Sequence, residues 1–118
     1  MHFQLAKSYK DVKMNRYNQP YFTAEQKDLY EEYWFSWEEA LIMAEDFCYV
    51  YEIQKDTELL LDIGDIDYAD TDTCKIIKPR IEERLKKPIT PRLKEMYTVL
   101  LDYVSRAIEY NTGVWIDL

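Results

Sequence analysis

The stretch PRLKEMYTVLLDYVSRAIEY, residues 91–110, decides the reading of this chain. Leu93, Met96, Tyr97, Leu100, Leu101, Val104, Ala107 and Ile108 recur three and four residues apart, which makes one side of a helix apolar along its whole length. Thr90 stands where an N-cap belongs, and Pro91 takes the first helical position, where a missing N–H costs nothing. Asn111-Thr112-Gly113 marks the stop, with Gly113 able to adopt the left-handed conformation that closes helices.

Working upstream, Pro88-Ile89-Thr90-Pro91 separates this helix from one in which Ile77, Ile81 and Leu85 stand four residues apart. Asp72 or Thr73 can cap it, and Pro79 either kinks it or marks its start. Ser36 followed by Glu39 is a capping-box pattern, and Trp37, Ala40, Leu41, Ala44, Phe47, Cys48 and Tyr51 then follow at helical spacing. Thr23 with Gln26 repeats that pattern and predicts a shorter helix from Ala24 to Trp34. Residues 1–21 are polar, Tyr-rich and without period, which reads as an irregular N-terminal segment with a turn at Asn18-Gln19-Pro20.

Leu59-Leu60-Leu61 fits strand or helix equally, and Gly64 with its neighbouring aspartates reads as a loop. Val114–Leu118 is too apolar to remain in water and is a candidate to pair with Leu59–Ile63 as a small two-stranded element. With only two glycines and four prolines, the chain lacks the turn residues of a many-stranded sandwich. The expectation is a mainly α single domain over residues 1–118, a bundle of about four helices built by residues 22–118, with that minor two-stranded element.

The net charge of −8 is unevenly placed: residues 17–72 carry 16 acids against Lys27 and Lys55, while the flanking segments are each net basic by 3. No run approaches the roughly 20 apolar residues of a membrane-spanning helix, and Met1–Arg16 has no apolar signal core. A cytoplasmic chain with Cys48 and Cys74 as reduced thiols is expected.

Catalytic machinery is hard to assemble from these residues. His2 is the only histidine, at a position expected to be mobile, and Gly64 and Gly113 cannot make a phosphate-cradling loop. The run Asp62 to Asp72 holds five carboxylates, but counting Asp65 as the first calcium ligand puts Asp70 where a glycine belongs and Ile76 where a bidentate glutamate belongs. We therefore expect no enzyme activity, no cofactor and no metal.

Binding chemistry fits better. Tyr30, Tyr33, Trp34, Phe35 and Trp37 form an aromatic cluster inside the acidic block, and aromatics with surrounding carboxylates suit the capture of a basic protein. Trp34 and Trp37 are assigned to the core by burial tendency, while Tyr30 and Tyr33 tolerate a wet edge. Glu38, Glu45 and Glu52, seven residues apart, define an unpaired acidic helix face. The candidate partner-binding residues are Tyr30, Tyr33, Glu38, Glu45, Glu52, Glu58, Asp62, Asp65, Asp67, Tyr68, Asp70 and Asp72. The basic stretch Lys75–Lys94 is the surface that a nucleic-acid-binding adaptor would use, although the larger acidic block would repel phosphate.

With its acid-rich Glu38–Asp72 region and closing helices Ile76–Lys87 and Pro91–Tyr110, the chain resembles the immunity proteins of contact-dependent inhibition and colicin-like systems. The resemblance is one of type across the whole chain, so no residue role carries over. It implies inhibition of a cognate toxin nuclease. Asp70-Thr71 leading into Arg80-Ile81 and Leu85 also resembles the approach to a late helix in phage anti-restriction proteins that mimic DNA, which implies a duplex-like negative surface; the Lys75–Lys94 stretch departs from that pattern.

Overall fold

Alternation, not helical spacing, organises the start of the chain. Residues 2–6, HFQLA, send Phe3 and Leu5 into the core and leave His2 and Gln4 on the opposite side, and they form strand β1 (His2–Ala6). The computed structural model describes residues 1–118. After β1 come a short ribbon of β2 (Lys13–Met14) and β3 (Pro20–Tyr21), a 3-10 segment over Ala24–Leu29, and β4 (Tyr30–Trp34). Helix α1 (Trp37–Ala44) continues as a π-helical turn over Glu45–Val50. β5 (Ile66–Ala69), α2 (Thr71–Leu85), α3 (Pro91–Tyr110) and β6 (Val114–Asp117) complete the chain.

This architecture corrects the expected helical bundle: the protein is α+β, with a four-stranded antiparallel sheet in the order β4-β1-β6-β5 and the separate β2-β3 ribbon. Scarcity of glycine and proline misleads here because no neighbouring pair in the main sheet is joined by a tight hairpin. The β1–β4 connection runs through the β2-β3 ribbon and the 3-10 segment, and the β5–β6 connection runs through α2 and α3. The central strands β1 and β6 come from opposite ends of the sequence, with Phe3 opposite Ile116 and Leu5 opposite Val114.

Phe3, Leu5, Val114 and Ile116 project from the sheet into one cluster with Ile77 and Ile81 of α2 and Met96, Tyr97 and Leu100 of α3, all essentially inaccessible to water. Burial of this apolar face is the main stabilising contribution. The α3 stripe therefore faces where its spacing predicts.

Several local expectations need correction. The helix expected over Ala24–Trp34 is a 3-10 segment followed by an edge strand, because Tyr30–Trp34 pairs with β1 and tertiary pairing overrides a local helix start. The segment expected to be irregular contributes a central strand, and His2 is held in it. The tail is a strand, but it pairs with β1 and β5, and Leu59–Ile63 is not a strand. Asp70 caps α2, accepting the Thr73 N–H at 2.9 Å, one turn earlier than the apolar stripe begins.

Asn111, with φ 55°, takes the left-handed cap of α3 in place of Gly113. Gly113 is needed for another reason, since a Cβ there would lie 2.3 Å from the Ala69 carbonyl oxygen. No helix is long and apolar enough to cross a membrane.

Candidate functional site: an acidic helix face beside an acidic groove

Helix α1 is positioned by its own N-terminus. Ser36 accepts the Glu39 N–H at 3.2 Å while Glu39 accepts the Ser36 N–H at 2.9 Å, so the reciprocal cap expected from sequence is formed. Ala40, Met43, Ala44, Phe47 and Cys48 face the core, which turns Glu38, Ile42, Glu45 and Tyr49 outward. The outward surface is unusually apolar: Trp37 is 54% exposed, Ile42 53%, Tyr49 62% and Val50 59%. Glu38 and Glu45 stand exposed beside them with no ion-pair partner.

Glu52 leaves this face, because the π-helical turn ends at Val50 and Glu52 takes φ 47° in the following turn, 3.9 Å from the Lys55 ammonium. The Tyr49 hydroxyl donates to Asp62, which ties the helix face to the next loop, lifts the tyrosine pKa to about 12 and lowers that of the carboxyl.

The remaining candidate acids gather around a groove of about 600 Å³ lined by Tyr9, Tyr17, Glu58, Asp67, Tyr68, Asp70 and Asp72, among others. Two of its four carboxylates have local work. Asp67 accepts the Leu60 and Tyr68 N–H groups at 3.2 and 2.8 Å, and Asp70 caps α2. Nearby, Asp65 accepts the Asp62 N–H at 3.1 Å. Glu58 and Asp72 remain exposed and unbonded. Tyr68 is buried and hydrogen-bonds the Tyr9 hydroxyl, and desolvation raises both pKa values. No group of three or more His, Cys, Asp or Glu side chains is arranged to hold a metal ion.

The cations of Lys75–Lys94 are placed less freely than their sequence suggests. Arg84 is 5% exposed and donates from Nε and Nη2 to the two oxygens of Asp46 at 2.9 and 3.1 Å. Its guanidinium lies 4.1 Å from the centre of the Tyr51 ring, and Tyr97 adds a hydroxyl bond to Asp46 at 2.5 Å. Sequence reasoning missed this network because residues 17–72, Asp46 among them, read only as a block of acids. The available signal was that Arg84 lies seven residues beyond Ile77 on the buried stripe and that Asp46 precedes Phe47. Arg80 donates to the carbonyls of Ile53 and Lys55, and Arg92 bonds Glu39 and the Tyr33 hydroxyl. Among the lysines, Lys86 pairs with Glu83 at 2.9 Å. Lys75, Lys87 and Lys94 are exposed without partners.

The aromatic cluster is divided differently from the expectation. Trp34 and Trp37 are exposed, Trp34 because its side chain points to the sheet face opposite the helices and Trp37 because it opens α1 on the outer side. Tyr33 is half-buried against Phe3 and Phe35, and Tyr30 packs on Phe22 at 5.1 Å. His2 is not mobile: its ring stacks on Trp34 at 4.2 Å, 3.3 Å from the Asp117 carboxylate, and burial holds its pKa below the usual value.

Compared with known proteins, the chain matches no family model, no curated protein and no solved structure.

Proposed function

We propose that this protein binds a basic protein partner through the outer face of α1 and acts by blocking it, most simply as an immunity protein occludes a toxin nuclease. The observation that carries this reading is the exposed Ile42 and Tyr49 on one face of the helix with the unpaired Glu38 and Glu45, with Trp37 and Val50 exposed at its two ends. Large apolar side chains bury area at low entropy cost once a partner excludes water, and carboxylates around them raise the encounter rate with a cationic surface. The net charge of −8 adds long-range attraction of the same sign. The protein acts by occupancy and has no turnover of its own, so nuclease and hydrolase screens of the isolated chain are expected to be blank.

A photo-crosslinking amino acid placed at Ile42, in the cells that make the protein, tests the surface. A basic protein is captured from that position and lost on Glu38→Lys with Glu45→Lys. Capture from Lys75 with none from Ile42 contradicts the proposal.

A further inference from the structure

Strand β4 is an edge strand, and the phase of its ladder leaves a defined set of main-chain groups open. Phe35 N–H donates to Met1 C=O at 3.1 Å and Lys7 N–H to Leu29 C=O at 2.8 Å, on the same register that pairs Phe3 with Tyr33 and Leu5 with Glu31. Odd-numbered residues of β4 therefore face β1, and the N–H and C=O groups of Tyr30, Glu32 and Trp34 point away from the sheet. No turn, loop or cap bond reaches the main chain of Glu32 or Trp34.

Glu32 shows the consequence: the residue is exposed although its side chain is only 26% exposed, so its main chain is open to water as well. Trp34, 61% exposed, stands beside it on the sheet face that no helix covers. Exposed edge strands are usually blunted, because they template the addition of another strand. At the opposite edge the Asp67 carboxylate takes the Tyr68 N–H and also accepts the Leu60 N–H, and β4 has no equivalent.

We propose that the outer edge of β4 accepts an extended basic segment of the partner as a fifth strand of the sheet. This inference rests on the reading that the partner is a basic protein. Main-chain bonds to Tyr30, Glu32 and Trp34 supply the affinity, and a lysine or arginine opposite Glu32 with an apolar side chain against Trp34 supplies the selectivity. A second copy of the chain is the poorer occupant, because the register pairing all five residues of two β4 strands sets Glu32 directly against Glu32, and like charges in that position destabilise a ladder. In the chain, Trp37 and Glu38 of α1 follow Trp34 by three and four residues.

The test uses the full chain, 15N-labelled, with a synthetic seven-residue peptide of alternating lysine and valine and its counterpart with glutamate in place of lysine. The lysine peptide shifts the amide resonances of Tyr30, Glu32 and Trp34 and slows their hydrogen exchange, and the glutamate peptide binds at least tenfold more weakly. Glu32→Pro removes an outward N–H and no bond to β1, so it abolishes the effect. Should that variant lose its fold, Glu32→Lys keeps the backbone and reverses the preference between the two peptides. Protection confined to α1 or to the Asp67–Asp72 groove, no binding at all, or concentration-dependent protection of the same amides without peptide each overturns the proposal. Glu38→Lys with Glu45→Lys leaves peptide binding at the edge intact, so failure at the edge and failure of the α1 surface are read separately.

Discussion

Helices α1 and α2 carry charge runs of opposite sign, and the fold treats them in opposite ways. On α2 and the turn after it, the arginines are absorbed: Arg84 lies buried against Asp46 and Tyr97, Arg80 holds the carbonyls of the Ile53–Lys55 turn, and only lysines are left in water. On α1 and its π-helical continuation, Asp46 and Glu39 are absorbed as the partners of Arg84 and Arg92, while Glu38 and Glu45 stay free beside Ile42 and Tyr49. A charge run becomes a surface only after the fold has taken what it needs. Here the basic run serves mainly to assemble the structure, and the acidic run keeps charge to spare.

The largest effect is expected from Arg84→Ala, which leaves Asp46 buried without its cation. A loss of about 3–5 kcal/mol of stability is expected, with partial recovery in the Arg84→Ala, Asp46→Ala double variant, measured by denaturant unfolding. Tyr97→Phe removes only the third member of that network and should cost about 2 kcal/mol in the same assay.

The pH dependence gives a smaller effect of known sign. Hydrogen bonding to Arg92, reinforced by the Ser36 N–H, holds the Glu39 pKa at about 2 against an ordinary 4.5. A depressed folded-state pKa stabilises the protein above the unfolded value and ceases to do so as pH falls from about 4.5 toward 2. Melting temperatures across that range should fall less steeply for Glu39→Gln than for the parent chain. Smallest of all, Lys75→Ala and Glu45→Ala should each shift stability by no more than about 0.5 kcal/mol, since neither side chain has a partner in the fold. A large loss from either would erase the distinction between absorbed and spare charge.

What the sequence makes legible follows the range of the interactions. The α3 stripe and the Ser36–Glu39 cap depend on residues three and four apart, and both form as read. The sheet depends on pairings such as His2 with Asp117 and Phe3 with Tyr33, between short strands whose alternation is too brief to stand out. Tyr30–Trp34 shows the cost: a plausible helix continuation becomes an edge strand once β1 lies beside it.

The candidate site divides along the same line. Glu38 and Glu45 are outward because their helix is legible, whereas Asp65, Asp67 and Asp70 bond main-chain N–H groups in turns that residue type alone does not specify. Trp34 and Trp37 reverse their expected burial because apolar size says nothing about which sheet face a helix will cover.

Association with the basic partner that crosslinks at Ile42, followed by surface plasmon resonance between 50 and 500 mM salt, tests the α1 surface. Association should slow as salt rises, and Glu38→Lys with Glu45→Lys should lower the on-rate at least tenfold, by roughly 1.4 kcal/mol at the encounter barrier, without changing the melting temperature. An on-rate indifferent to those reversals, yet lost on Lys75→Glu with Lys87→Glu, would contradict the account and place the working surface on α2.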